Sequence, residues 1–335
     1  MARVTLKKIA EVAGVGSATV ERVLNGRGGV RPALVDKVVN VARQLDYFKP
    51  LPAPHRSITR IEVLMLRPEL SFVARFSTSF ERIAASLDNS ILVHRTFIDE
   101  RNPRAIAERI SKPKLQRSAL IVLVHDHPLI QAALAAEQAK GLPIIQLVSQ
   151  MHLPNPTYVG IDNQAAGRMA GVLMTGLQRK AGTVVALCHS QIYSVDRARI
   201  AGFSQVVTNP KAAHLQFGLI AFTQDDDDEA AKIVSQLIRN TSNLVGIYSA
   251  GGDYGPLCDV LRKQDPTHEI CFIGHELTVQ TSAALKDGTI SAIIDQAPET
   301  QARRALDLVL SKLDLLASPV DSNPIRFITI TTETL

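Results

Sequence analysis

Short apolar runs alternate with amphipathic helices throughout residues 60–335, and this alternation constrains the fold more than any other feature of the sequence. It predicts parallel sheets that are covered by helices on both faces. The pattern is too long for one such sheet and predicts two doubly wound subdomains, whose ligand would bind beyond the carboxyl ends of the strands. The predicted strands are 61–66, 91–97, 119–124, 143–147, 183–188, 215–222, 244–248, 270–274, 291–294 and 325–330. The predicted helices are about 75–87, 103–111, 128–140, 163–178, 197–208, 226–240, 278–286 and 298–316.

The first 47 residues have a different pattern, which predicts a small head of three helices. The first helix covers 5–13, where Thr5 can cap its start and Gly14 can end it. The second covers 17–24, after a turn of three residues that contains two glycines, as in a helix-turn-helix. The third begins near Pro32 and runs to about Leu45.

The positive charge of the chain is concentrated around this head. Residues 1–60 contain eleven Lys or Arg and only four Asp or Glu, whereas the rest of the chain has slightly more acidic than basic residues. A basic segment of this kind favours a polyanionic partner, because each neutralised phosphate releases condensed counterions. Pattern and charge together predict a DNA-binding head, although they also fit a basic three-helix interaction module.

In a DNA-bound helix-turn-helix, the second helix lies in the major groove. Its outward side chains would be Ser17, Ala18 and Arg22, of which Arg22 can donate two hydrogen bonds to a guanine. The candidates for phosphate contacts, which set position rather than sequence preference, are Thr5, Thr19, Asn25 and Arg31.

Residues 4–47, VTLKKIAEVAGVGSATVERVLNGRGGVRPALVDKVVNVARQLDY, closely resemble the head of the lac-repressor (LacI/GalR) family without a gap. The resemblance implies a transcription regulator that binds double-stranded DNA at a near-palindromic operator. Two positions depart from the family: Glu21 lies in the second helix where family members usually have Ser, and Arg31 replaces the usual Ser cap of the third helix.

The segment that follows the head also departs from the family. Family members form a short hinge helix there on DNA, but Pro50, Pro52 and Pro54 alternate in this chain and disfavour a helix. A stiff, extended spacer is predicted instead. The predicted domains are therefore the head at 1–47, a Pro-rich linker at 48–59 and an effector-binding and dimerisation domain at 60–335.

Residues 60–335 resemble the sensing domain of the same family and the bacterial sugar-binding receptors. The resemblance is clearest at 159–174, 195–203, 246–255, 272–276 and 293–306. The resemblance implies a periplasmic-binding-protein fold with an effector site that contains Arg199, Asp253, Glu276 and Gln296. Gly252 replaces the Asn that usually precedes Asp253. Further candidates on the first subdomain are Phe72, Phe76 and Asp126, and Arg197 is either a ligand contact or a surface charge. Asp162 and Asn163 fit helix caps better than ligand contacts.

The expected function is a repressor whose operator affinity responds to a sugar, a sugar alcohol or a related metabolite. No common catalytic motif is recognisable, but a sugar-processing enzyme with an attached head stays as one alternative and a plain sugar-binding receptor as another. No metal or cofactor is expected. The segment His125-Asp126-His127 could suggest a metal site, but neighbouring side chains at a strand end point apart and no further ligand is evident. The three cysteines are predicted to be buried thiols in a reducing cytosol. With neither a signal peptide nor a leucine heptad tail in the sequence, we expect a cytoplasmic homodimer.

Overall fold

The structure is a computed structural model that describes residues 4–25, 27, 30–47, 58–188, 194–223, 226–251 and 254–335. Most of the Pro-rich linker and the candidate Asp253 lie outside the described residues. The chain divides into two compact units, one of residues 1–59 with 88–92 and the other of residues 60–87 with 93–335.

The three predicted helices of the head are present. They are α1 (Leu6–Ala13), α2 (Ser17–Leu24) and α3 (Pro32–Gln44). The Thr5 hydroxyl accepts a hydrogen bond from the Lys8 amide, and Gly14 ends α1 in the left-handed conformation at φ 63°, so both ends of α1 are capped as predicted. Apolar side chains of all three helices meet in one core, in which Ile9, Ala13, Val20, Val38, Val39 and Ala42 are fully buried.

A five-stranded sheet follows, with the strand order β2-β1-β3-β4-β5. Its strands are β1 (Thr59–Leu66), β2 (Ile91–Ile98), β3 (Ala119–Leu123), β4 (Ile144–Leu147) and β5 (Tyr158–Val159). The β1–β3, β3–β4 and β4–β5 pairs are parallel. The intervening helices are α4 (Ser71–Ala84), α5 (Pro103–Ser111) and α6 (Pro128–Ala139).

The second sheet has six strands in the order β11-β10-β9-β8-β6-β7. They are β6 (Gly182–Cys188), β7 (Leu215–Phe222), β8 (Leu244–Ser249), β9 (Cys271–His275), β10 (Ala292–Asp295) and β11 (Ile328–Ile330). All neighbours are parallel except β11, which pairs antiparallel with β10. The helices are α7 (Asn163–Leu177), α8 (Ser194–Val207), α9 (Asp227–Asn240), α10 (Gly255–Gln264), α11 (Val279–Lys286) and α12 (Pro298–Lys312).

Each sheet has its own layer of helices, and we call the two halves the first and the second lobe. Helix α12 lies between β10 and β11 of the second sheet in the chain but packs against α4, β4 and β5, so it belongs to the first lobe. In both lobes the second strand lies at the edge and the third strand lies on the other side of the first, which places a topological switch point beside β1 and beside β6. Ligands of open α/β sheets bind in the crevice outside the carboxyl ends of the strands at such a point.

The predicted two-sheet α/β architecture is confirmed, with differences in detail. The sequence did not predict β5 or α10, and α4 and α8 begin at Ser71 and Ser194, a turn earlier than expected. All three cysteines are buried thiols, as predicted. Among the helices of the described ranges, none is long and apolar enough to cross a membrane.

Candidate functional site

The candidate DNA-reading side chains lie on the solvent-facing side of α2. Ser17, Ala18 and Arg22 are exposed, whereas Val20 and Val23 face the core of the head. The 3.6-residue period therefore separates a packing face from a face that is free to meet a partner. Glu21 is also exposed on this helix, so its negative charge lies beside Arg22.

Three of the four candidate phosphate contacts lie at helix ends, and Thr19 lies in the first turn of α2. Thr5 caps α1, Asn25 occupies the C-cap of α2, and Arg31 occupies the N-cap of α3 without a side-chain hydrogen bond to that helix. All three are exposed, and Thr19 is half-buried. The absence of a cap bond from Arg31 follows from its chemistry, because a guanidinium has no acceptor for helix N–H groups.

In the second lobe, Arg199 lies at the centre of a group of buried polar side chains. Its Nε donates to Asn163 Oδ1 over 2.9 Å and its Nη1 donates to the carbonyl oxygen of Ala250 over 2.6 Å. Arg199 is only 3% exposed, yet its Nη2 has no hydrogen-bond partner among the described residues. A buried guanidinium with an unused donor is unusual, and a ligand hydroxyl would satisfy it.

Close packing of α7 against α8 fixes Arg199 in place. Gly167 of α7 lies against the carbonyl group of Arg199, and Gly202 of α8 lies against the carbonyl oxygen of Gln164, so a Cβ at either glycine would collide with backbone. Small residues at these two points let the helix axes approach. The backbone that carries Arg199 is therefore held on both sides.

Two tyrosines and a histidine form a neutral hydrogen-bonded group next to Arg199. Tyr248 Oη lies 2.9 Å from His275 Nε2, and Tyr254 Oη accepts a hydrogen bond from the backbone N–H of His275 over 3.0 Å. Complete burial, together with the charge of Arg199, lowers the pKa of His275 well below its usual value. Burial likewise raises the pKa of Tyr248 and of Tyr254. This group is uncharged at neutral pH, so the positive charge beside it belongs to Arg199.

Glu276 follows β9 directly and is 5% exposed. Its Oε1 accepts a hydrogen bond of 2.6 Å from Gln296 Nε2, and Gln301 in turn donates to the carbonyl oxygen of Gln296. Its Oε2 has no hydrogen-bond partner among the described residues, and Arg75 Nη1 lies 3.8 Å away. Burial, followed by the nearby charge of Asp295, raises the pKa of Glu276 to about 8.

Arg75 reaches from α4 of the first lobe to the carboxyl ends of β9 and β10 in the second. Its Nη1 donates to Asp295 Oδ2 and to the carbonyl oxygen of Leu277, and its Nε and Nη2 donate to Glu299 of α12. The two carboxylates raise the pKa of Arg75 against the opposing effect of burial. One side chain thus connects the two lobes beside Glu276.

The structure brings together Arg199, Glu276 and Gln296 from the predicted effector set. Asp126, at the end of the first-lobe strand β3, accepts a hydrogen bond from Gln131, and Arg197 is exposed. Phe72 is half-buried in the first turn of α4. Phe76 has no exposed surface and packs between Phe72 and Phe80, which is the environment of a core residue rather than of a ligand contact.

Sequence reasoning missed several members of this site. Asp162 caps α7 as expected, but Asn163 binds Arg199 as well as beginning that helix. Asp295 is the last residue of β10, and an acidic residue at the carboxyl end of a strand was a usable signal, as it was for Asp126, three residues after β3. Nothing in the sequence around Arg75 distinguishes it from an ordinary exposed arginine on an amphipathic helix. Across the described residues, no three His, Cys, Asp or Glu side chains are arranged to hold a metal ion.

Comparison with known proteins yields two family matches. The model described as "Bacterial regulatory proteins, lacI family" matches residues 5–49, and the model of a periplasmic binding protein domain matches residues 72–315. No curated protein matches the sequence.

Solved structures of sugar-binding proteins share the fold of the two lobes. A periplasmic solute-binding protein from Actinobacillus succinogenes with bound D-allose has a TM-score of 0.72 at 17% identity, over 82% of this chain and 98% of that chain. A glucose-galactose binding protein from Geobacillus stearothermophilus has a TM-score of 0.70 at 16% identity, over 82% and 99%. A solute-binding protein from Burkholderia graminis in complex with D-arabinose has a TM-score of 0.72 at 17% identity, over 84% and 98%.

Proposed function

Because the chain belongs to the lacI family of bacterial regulatory proteins and carries a periplasmic binding protein domain, we propose that it represses transcription under the control of a small sugar-like effector. The effector binds between the lobes, and its binding changes the affinity of the head for a near-palindromic operator. The protein acts in the cytoplasm, where its DNA is.

One observation carries the assignment of the effector site. Arg199 Nη2 is a buried donor, and Glu276 Oε2 belongs to a buried carboxyl group whose raised pKa keeps it largely protonated at neutral pH. Neither atom has a hydrogen-bond partner among the described residues. A sugar hydroxyl both accepts and donates a hydrogen bond, so adjacent hydroxyl groups can satisfy both atoms at once. Gln296 holds the carboxyl group of Glu276 in place, and the half-buried ring of Phe72 offers an apolar face to a pyranose or furanose ring. Asp126, Arg197 and Asp253 complete the proposed site.

Control of the head would work through the orientation of the lobes. An effector that contacts Glu276 also meets Arg75, which ties α4 to Asp295. A ligand shifts an equilibrium only by its differential affinity for the two states, and competition for the Arg75 network provides such a difference. The coupling is therefore expected to be lost when Arg75 is replaced, even where the effector still binds.

On DNA, α2 enters the major groove with Arg22 directed at a guanine and with Ser17 and Ala18 in close contact with base edges. Thr5, Thr19, Asn25 and Arg31 hold the phosphates. Two copies pair through the effector-binding domain, and the edge strand β7, with Leu219, Ile220 and Phe222 exposed, offers an apolar surface for this pairing.

The test begins with selection of genomic fragments by the purified protein at near-physiological salt. Enrichment of one palindromic motif supports the regulator, and binding with no shared motif contradicts it. Arg22→Ala is compared with Arg43→Ala, which removes an equal charge from the exposed surface of α3. We expect only Arg22→Ala to relax base preference at one operator position, by about 1–3 kcal/mol.

The effector is then sought among sugars and sugar alcohols by release of the operator fragment. Arg199→Ala should abolish the response and leave operator affinity unchanged. Arg197→Ala, two residues away and exposed, decides whether that side chain belongs to the site. Chemical conversion of the effector by the protein would contradict a purely regulatory role.

A further inference from the structure

A pocket of about 360 Å³ lies at the amino ends of β1 and β3 in the first lobe. Arg60 and Glu62 of β1, residues 94–96 of β2, Arg109 of α5 and residues 114–117 line it. The proposed effector cleft lies at the opposite, carboxyl ends of the strands. The pocket is therefore separate from the effector site.

The lining of this pocket is strongly positive. Among the described residues that line it, there are five Lys or Arg side chains and one histidine, but Glu62 is the only carboxylate. Glu62 is 4% exposed and accepts hydrogen bonds from Arg109 Nε over 2.9 Å and from Arg117 Nη1 over 2.7 Å. Two guanidinium groups thus share a single buried carboxylate.

Carboxylates outside the pocket lining do not neutralise its remaining positive charge. Glu81 pairs with Arg95 at 2.9 Å, and Glu137 reaches Arg117 only at 3.8 Å while also pairing with Lys140 at 2.6 Å. The remaining two cations of the lining, Arg60 and Lys114, have no ion pair among the described residues. The pocket therefore keeps an excess of positive charge when every carboxylate that contacts it is counted.

Two buried donors of the arginine pair also have no acceptor in the described part of the chain. They are Arg109 Nη1 and Arg117 Nε, and the side chain of Arg117 is only 3% exposed. Buried N–H groups of native proteins almost always have a hydrogen-bond partner. An anion in the pocket would neutralise Arg60 and Lys114 and offset the positive charge of the arginine pair beneath it.

We propose that this pocket binds a small phosphorylated metabolite as a second ligand, independent of the effector in the cleft. Guanidinium groups match the oxygens of a phosphoryl group in geometry and charge. The volume lies at the lower end of the range for small-molecule sites, so the ligand is a compact phosphate ester. The proposal does not depend on the regulator function.

The test is calorimetric titration of the full-length protein with pyrophosphate and with glycerol 3-phosphate at low ionic strength. The pocket variant is the double substitution Arg60→Gln with Lys114→Gln, which removes the two lining cations that have no ion pair in the described part of the chain. The matched control, Arg104→Gln with Lys112→Gln, removes the same charge from exposed positions that do not line the pocket. A variant of the effector site, Arg199→Ala, is measured in parallel.

We expect saturable binding of both probes, a dissociation constant at least about tenfold higher in the pocket variant, and little change in the control or in Arg199→Ala. Tighter binding of glycerol 3-phosphate than of pyrophosphate identifies an ester as the ligand class. Equal losses in the pocket variant and the control would overturn the proposal, as would the absence of saturable binding. So would a pocket variant that binds duplex DNA more weakly than the control does but retains its affinity for both probes, because the pocket would then contact the DNA backbone.

Discussion

Replacing Glu276 by glutamine should change how the stability of the protein depends on pH. Burial and the charge of Asp295 raise the pKa of this carboxyl group from 4.5 to about 8 in the folded protein. Between these two pH values the folded protein retains a proton that the unfolded chain has lost. The free energy of unfolding therefore falls as pH rises through this window, which is the behaviour of an acid with a raised pKa.

The size of the effect follows from the width of the window. Each pH unit between 4.5 and about 8 lowers the free energy of unfolding by about 1.4 kcal/mol, so the wild type loses up to ~5 kcal/mol to this one group. Glutamine keeps the acceptor for Gln296 and cannot ionise. The variant and the wild type should therefore have similar stability near pH 5, and the variant should be more stable by several kcal/mol above pH 8.

His275 acts in the opposite sense at lower pH. Its pKa is lowered by burial, so its contribution to stability is lost as pH falls below about 6.5. For this reason the prediction concerns the difference between variant and wild type rather than the wild-type curve alone. Urea unfolding followed by far-ultraviolet circular dichroism at several pH values between 5 and 9 measures it, because the chain has no Trp for a fluorescence readout.

Glu333→Gln, at an exposed position, serves as the control and should reproduce the wild-type curve. A constant difference between Glu276→Gln and wild type across the whole range would refute the reasoning. Glu276 would then titrate alike in the folded and unfolded states, and its carboxyl group would not be the buried group on which the proposed site depends.

Three further predictions concern the packing that positions the two sites. Arg75→Met leaves Asp295 without its ion pair, so the free energy of unfolding should fall by about 3 kcal/mol in urea titration, and an unchanged value would mean that this contact does not tie the lobes. Gly167→Ala places a methyl group against the backbone of Arg199 and should cost about 1–3 kcal/mol and weaken effector binding in calorimetry. Gly176→Ala in the same helix, which meets no neighbour, should do neither. Ile9→Ala creates a cavity in the head, costs about 2–5 kcal/mol and should abolish DNA binding in a mobility-shift assay while effector binding persists.

The sequence predicted secondary structure correctly wherever a hydrophobic pattern extended over several residues. Strand β7 has the bounds that its apolar run predicted, and the three head helices follow their caps and apolar stripes. Strand β5 was missed because its two residues are too few to show the alternation of a strand. Helix α10 was missed because its buried stripe consists only of Leu257, Cys258 and Leu261 and its start is a Gly-Pro pair.

The candidate site was less accessible to sequence reasoning because distant segments build it. The resemblance to a family identified Arg199, Glu276 and Gln296, but the contact of Arg75 with Asp295 joins residues that are 220 positions apart. Periodicity also could not tell Phe72 from Phe76, since both follow the same strand. Only the packing of α4 shows that the second ring is fully buried.

Backbone conformation gives an independent reason to place the site at the carboxyl ends of the strands. In the described part of the chain, seven residues other than glycine have positive φ, and three of them are Asp or His, which tolerate that region. The other four, Arg67, Val148, Glu276 and Ala297, all come within two residues of a strand's end.

Such conformations cost of order 1–3 kcal/mol each and persist only where the surroundings hold them. The surroundings do so here: the Val148 carbonyl accepts from Tyr158 Oη, the Glu276 amide donates to Ile294, and the Ala297 amide donates to Asp295 Oδ1. Val148 and Glu276 both lack the conformational freedom that makes positive φ easy for glycine. Stability alone therefore gives no reason for a valine or a glutamate at these positions. The left-handed turn after β9 instead carries the Glu276 carboxyl to Gln296 and towards Arg75. The proposed role of the Glu276 side chain in the effector site would account for this strained conformation, which the fold itself does not require.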